Sequence, residues 1–153
     1  MQGDAKGDLA RARAAVRKSS RGVLERCLDV IEEDIERRVD KGIDINGRPF
    51  KPLSPAYAKQ KSKKFPGMPI LKATRAMLAG ANIRRRFKAN QTGTTEASMS
   101  YTSEYAAYHQ EGGGKLPKRE FIGVSKEAER QVDNILDGWI TGILRDGRAT
   151  LRR

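Results

Sequence analysis

The chain has 153 residues, the size of one domain, and its mean hydropathy of -0.69, with 33% charged residues, is polar for a soluble domain. No apolar run approaches the roughly 18 residues a membrane span needs, and the start, Met1-Gln2-Gly3-Asp4-Ala5-Lys6, lacks the apolar stretch of a secretory signal. A single cysteine, Cys27, excludes an internal disulfide and fits synthesis in a reducing cytoplasm, with no membrane partner expected.

The net charge of +12 is unevenly placed. Residues 1–40 carry nine basic and nine acidic side chains, residues 89–153 again nine of each, and residues 41–88 carry thirteen basic ones against Asp44 alone. Charge concentrated in this way must meet counterions, nucleic acid or an acidic protein face.

In chain order, residues 1–8 read as a flexible start. A helical region follows over 9–41. Its apolar positions Leu24, Cys27, Leu28, Ile31, Ile35 and Val39 recur every three or four residues. Ser19, Ser20 and Gly22 predict a break within it, and Gly42 a C-terminal cap. The segment 42–124 reads as a core of loops, short helices and sheet. Asn46-Gly47 predicts a turn, and Ser54-Pro55 a helix start, with a hydroxyl cap before proline at the first helical position. The resulting basic helix should run to about Lys64 and break at Phe65-Pro66-Gly67-Met68-Pro69. Thr74 is placed to cap a short helix holding Met77 and Leu78 that ends near Gly80.

Two strands are predicted next, Asn82 to Ala89 and Thr95 to Thr102. The second sets Ala97, Met99 and Tyr101 on one face and Glu96, Ser98 and Ser100 on the other. Asn90-Gln91-Thr92-Gly93 joins them as a hairpin loop. Ser103 predicts a cap for a short helix to Gln110, Gly112-Gly113-Gly114 a flexible stretch, and Arg119 to Val124 a third strand. The last helix, 125–146, is capped by Ser125 and has Glu127 and Glu129 where the helix dipole favours acids. Ala128, Val132, Ile135, Leu136, Trp139, Ile140, Ile143 and Leu144 form its apolar stripe, and 147–153 reads as a basic tail.

Little in this chain points to catalysis. His109 has no second histidine and no nearby cysteine, so metal ligation is not expected. Cys27 lies on an apolar stripe and reads as a buried, inert thiol. No nucleophile-elbow motif is present, and Gly112-Gly113-Gly114-Lys115 is followed by Leu116-Pro117, unlike a phosphate-binding loop. No cofactor is expected, and a small hydrolase would need an activity that no residue cluster suggests.

Binding surfaces are a different matter. Lys59, Lys61, Lys63 and Lys64 form one basic cluster, and Arg84, Arg85, Arg86 and Lys88 a second. Together they are a candidate surface for assembly or for DNA. Successive arginines on a strand point to opposite faces, so not all can meet one ligand. Aromatic residues that would stack on bases are few: Tyr57, Phe65 and Phe87. Glu32, Glu33, Asp34 and Glu36 form a candidate acidic complement on the first helix. A basic nucleic-acid-binding module is the alternative to an assembly protein.

Four motifs, in order, resemble one family. Gly47-Arg48-Pro49-Phe50-Lys51-Pro52-Leu53-Ser54-Pro55 is similar to its Gly-x-x-Trp-x-Pro-Leu-Ser-Pro segment, with Phe50 in place of tryptophan. Ile70-Leu71-Lys72-Ala73-Thr74-Arg75-Ala76-Met77-Leu78 resembles Ile-Leu-x-x-Thr-Gly-x-Leu, with Arg75 for glycine. Tyr105-Ala106-Ala107-Tyr108-His109-Gln110-Glu111-Gly112 resembles Tyr-Ala-x-x-His-Gln-x-Gly. Leu116-Pro117-Lys118-Arg119-Glu120-Phe121-Ile122-Gly123-Val124-Ser125 resembles Ile-Pro-x-Arg-x-Phe-Leu-Gly-x-Ser. On these the chain resembles the phage virion-morphogenesis, or tail-completion, proteins. The resemblance implies an α+β fold, a small antiparallel sheet flanked by an N-terminal and a C-terminal helix. It implies a structural virion protein at the tail or neck that joins tail to head. It also implies a homo-oligomeric ring, a hexamer first, with neck and tail proteins as partners and DNA passing nearby. It brings no catalytic residue and no cofactor.

Overall fold

The structure, a computed structural model, describes residues 5–73, 76–113 and 116–149. The elements are α1 (Ala5–Lys41), α2 (Pro55–Lys64), two single 3₁₀ turns (Ala76–Leu78 and Gly80–Asn82), β1 (Ile83–Asn90), β2 (Gly93–Tyr101), α3 (Glu104–Glu111) and α4 (Lys126–Ala149). β1 and β2 form a two-stranded sheet. The class is α+β, as the resemblance implies, with a long N-terminal helix, a small antiparallel sheet and a C-terminal helix.

α1 starts earlier than expected, and Ala5–Asp8 are helical where composition suggested a flexible start. The expected break at Ser19, Ser20 and Gly22 is absent. Serines weaken helices by competing for backbone partners, and here that competition is resolved inside the fold. Ser19 donates back to the Ala15 carbonyl (2.7 Å), one turn earlier in the helix. Ser20 is buried and accepts from the Thr94 amide (2.8 Å). The helix ends as predicted: Gly42, at φ 69°, donates to Val39 O, and Ile43 to Arg38 O. Asp44 then accepts from the Asn46 and Arg48 amides across the Asn46-Gly47 turn.

α2 has the cap and proline expected, Ser54 Oγ accepting from Tyr57 N. Thr74, Gly114, Lys115 and residues 150–153 of the basic tail lie outside the described residues. Ser103 does not cap α3 through its side chain; its carbonyl accepts from Ala106 N instead (3.0 Å). Ser125 does cap α4, its Oγ accepting from Ala128 N (3.2 Å).

The expected third strand, Arg119 to Val124, does not form. Arg119 N donates to His109 O and Glu120 O accepts from Ile45 N, and side chains take the backbone groups that follow. Gln110 Oε1 accepts from Phe121 N (3.1 Å) and Ile122 N (2.9 Å), and Gln110 Nε2 donates to Ile122 O (3.1 Å). Arg38 donates to Phe121 O (3.0 Å) and Gly123 O (2.9 Å). An extended segment satisfied in this way needs no neighbouring strand.

The chain divides into two compact units of interleaved segments. One takes its described residues from Met1–Val30, Arg85–Ser98 and Glu129–Arg153, the other from Ile31–Arg84 and Met99–Ala128. The second unit holds the main core: Ile35, Val39, Phe50, Leu71, Met77, Leu78, Ala106 and Phe121, with Ile31, Ile70, Met99, Tyr101 and Ile122 packed on it. Tyr101 meets Phe121 edge to face at 5.9 Å. In the first unit Val23, Cys27 and Leu28 are buried. Trp139 Nε1 donates to Ser19 Oγ (2.8 Å), and the Arg21 guanidinium lies 4.5 Å over the Phe87 ring.

Candidate assembly interface

The basic clusters are sorted by their local structure. On α2, Lys59, Lys63 and Lys64 are exposed. Lys61 is not part of that surface. It is 5% exposed and turns inward to donate to Met68 O (2.8 Å) and Pro69 O, closing the loop after the helix. Burial lowers its pKa. On β1 the alternation of a strand separates the run. Ile83, Arg85 and Phe87 are half-buried, while Arg84, Arg86 and Lys88 are exposed. Arg85 pairs with Asp29 (2.7 Å) and Lys88 with Glu96 (2.9 Å). Arg84 and Arg86, two residues apart on the outward face, pair with no carboxylate among the described residues. Within the two clusters, the exposed cations with no carboxylate partner among the described residues are therefore Lys59, Lys63, Lys64, Arg84 and Arg86.

The acidic run divides likewise. Glu33 and Glu36 are exposed and Glu32 is half-buried, but Asp34 is buried and carries Arg38 (2.8 Å) and Arg37 (2.6 Å). Burial raises the Asp34 pKa, but hydrogen bonds from Arg38, Arg37 and Ser125, with the Arg38 charge, outweigh it and hold the carboxyl below its ordinary value. Asp34 thus belongs to an internal brace, and Glu33 and Glu36 are what remains of the acidic surface. A cleft of about 690 Å³ opens beside Glu36, lined also by Asp40, Met68, Pro69 and Lys72. Asp40 and Lys72 pair across it (2.6 Å).

The motif residues turn out to be fasteners. Arg119 is buried, donating to Lys51 O (3.0 Å) and Pro52 O (3.2 Å) and lying 3.5 Å from His109 Nδ1. Burial, and then the Arg119 charge, lowers the His109 pKa, so the imidazole is neutral near pH 7. Gln110 ties Phe121 and Ile122 as described above. Gly123 lies at φ 144°, which strains any other residue, and a Cβ there would require the end of the Ile45 side chain to move. No group of three or more His, Cys, Asp or Glu side chains able to hold a metal exists among the described residues. No helix of the described chain is long and apolar enough to cross a membrane.

These fasteners join the segments that carry three of the four motifs, and residues 6–141 match the phage virion morphogenesis family. The chain belongs to that family. No curated protein and no solved structure matches the chain. Family membership gives the chain a structural or assembly role in the phage particle. The match spans α1 through most of α4, so it takes in the second compact unit and most of the first.

Sequence reasoning left one set of surface features without a role. Tyr105 and Tyr108 on α3 are 72% and 54% exposed, and Ile140 and Leu144 on α4 are 47% and 56% exposed. Ile140 and Leu144 belong to the apolar stripe of α4, and the spacing of Tyr105 and Tyr108 puts both rings on one face of a helical turn. For α4 the signal of this exposure is the width of the stripe, which covers roughly half the helix circumference with Ile140 and Leu144 at one edge.

Proposed function

We propose that this chain is a tail-completion or neck component that assembles as a ring, a hexamer in the first instance, and joins the tail to the head. The observation that carries this reading is the family match over residues 6–141. The surface fits it: Ile140, Leu144, Tyr105 and Tyr108 expose apolar area that an assembly would cover, and both exposed cations and exposed carboxylates are present. Copies meeting head to tail close into a ring by rotation, and complementary charge sets their register. The chain acts by assembly and not by catalysis, is made in the host cytoplasm, and takes its place in the tail or neck beside other virion proteins.

The test is complementation. Tails produced without this protein should fail to join filled heads, and adding the purified chain should restore joining. The protein should then be found in virions at a fixed copy number. Tails that join normally without it, or virions that lack it, would overturn the reading.

A second reading, contact with DNA, rests on Arg84 and Arg86 side by side on the outward face of β1. Such contact is blind to sequence and falls steeply with salt. Replacing both by Gln should flatten the salt dependence of DNA retention if this reading holds, and leave head–tail joining intact if it does not.

A further inference from the structure

The first unit contains a groove between α1 and α4 of about 650 Å³. Val23, Ile135 and Trp139 give it an apolar lining, with Trp139 fixed by its hydrogen bond to Ser19. Gly22 and Gly138 leave it open. Both lie inside helices, where glycine is a poor residue, and a Cβ at either would meet nothing within 4 Å. Packing within the copy therefore does not call for glycine at these positions. Lys18 and Arg26 stand at the groove, exposed, and pair with no carboxylate among the described residues. Eight residues of helix separate them by about 12 Å along the axis.

α3 presents a matching face. Glu104, Tyr108 and Glu111 recur at helical spacing, and Tyr105 adjoins them. All four are exposed, and neither glutamate has a cationic partner among the described residues. Seven residues separate the two carboxylates by about 10 Å, close to the spacing of the two cations. The opposite side of α3 is anchored, with Ala106 1% exposed and Gln110 tied to Phe121 and Ile122. The tyrosines are thus held on a helix fixed from behind, which lowers the cost of docking them.

Resting on the assembly reading above, we propose that α3 of one copy seats Tyr105 and Tyr108 in the α1–α4 groove of the next, with Glu104 and Glu111 meeting Lys18 and Arg26. The two surfaces differ, so each copy offers one of each, and the contact is of the head-to-tail kind that builds rings. Tyrosine supplies both apolar area and a hydroxyl for the polar rim, which suits it to such a contact.

A charge exchange on the full chain tests this, read by light scattering at low salt. Lys18→Glu with Arg26→Glu, and separately Glu104→Lys with Glu111→Lys, should each raise the concentration needed for assembly roughly tenfold or more. All four changes in one chain, or an equal mixture of the two double variants, should restore it. A photo-crosslinker at position 138 should label α3 of another copy. Melting temperatures near that of the unaltered chain establish that each variant is folded. Folded double variants that assemble normally, or a combination that stays unassembled, overturn this contact while leaving the ring reading in place. A crosslink to a different virion protein overturns it likewise. An unaltered chain that stays solitary in solution and on tails overturns the assembly reading, and this contact with it.

Discussion

Arg38 donates from Nε to Asp34 Oδ2 at 2.8 Å, with 5% and 3% of the two side chains exposed. The same guanidinium holds the carbonyls of Phe121 and Gly123, so one buried ion pair fixes the segment leading into α4. Removing one member of such a pair leaves the other charged, buried and unmatched. Asp34→Ala should cost about 3–5 kcal/mol in urea unfolding, whereas Glu33→Ala on the exposed face of the same turn should stay within about 0.5 kcal/mol. A loss under about 1 kcal/mol at Asp34 would show the pair to be dispensable.

Acid should destabilise the fold in two steps. His109 has its pKa lowered from 6.5 by burial and then by Arg119. On acidification the unfolded imidazole takes its proton first, so the unfolded state is favoured as pH falls through about 6.5 and below. Asp34 has a net pKa below its ordinary 3.8, because its hydrogen bonds outweigh burial. Its unfolded carboxyl protonates while the folded one is still ionised, and stability falls again below about pH 4. Unfolding free energies measured at pH 7.5, 5.5 and 3.5 should decline in that order, and His109→Gln should flatten only the first decline.

Gln110 makes three hydrogen bonds to the Phe121–Ile122 backbone. Gln110→Leu strips those groups of partners, at roughly 1–3 kcal/mol for each buried group left unmatched. Hydrogen exchange should rise first at the amides of Phe121 and Ile122. Unchanged exchange there would show that another partner replaces the amide.

Gly123→Ala meets two obstacles, the φ of 144° and the Ile45 Cδ1 atom. The variant should melt lower, by an amount equivalent to about 1–3 kcal/mol. Ile45→Val removes the overlapping carbon but leaves the backbone angle, so the double variant should recover part of the loss and not all of it.

Amine-reactive labelling should distinguish the four lysines of α2. Lys59, Lys63 and Lys64 should label readily, and Lys61, buried against two carbonyls, should be protected until the protein unfolds. Equal labelling of all four in the native state would contradict its inward course.

Much of this architecture was legible in the residues. The stripe from Leu24 to Val39, the Ser54-Pro55 start, the Gly42 stop and the Ser125 cap act through local geometry, which spacing and residue type reveal. The alternation of Ala97, Met99 and Tyr101 gave β2 its face for the same reason. What stayed hidden depends on distant partners. Residues 119–124 have strand-like composition, yet Gln110 and Arg38 take the hydrogen bonds a neighbouring strand would use. Ser19 and Ser20 look like helix breakers until Trp139 and Thr94 give them partners 120 and 74 residues away. Lys61 and Asp34 read as surface charges because their neighbours are charged, and one turn of helix carried each of them inside.

The unit built from segments within Met1–Val30, Arg85–Ser98 and Glu129–Arg153 has a bearing on synthesis. Trp139 reaches Ser19 only after the ribosome has added 120 residues beyond that serine. A nascent chain that stops before α4 lacks one wall of the groove between α1 and α4, so on the proposed contact a prematurely terminated product would offer its neighbour no receptor.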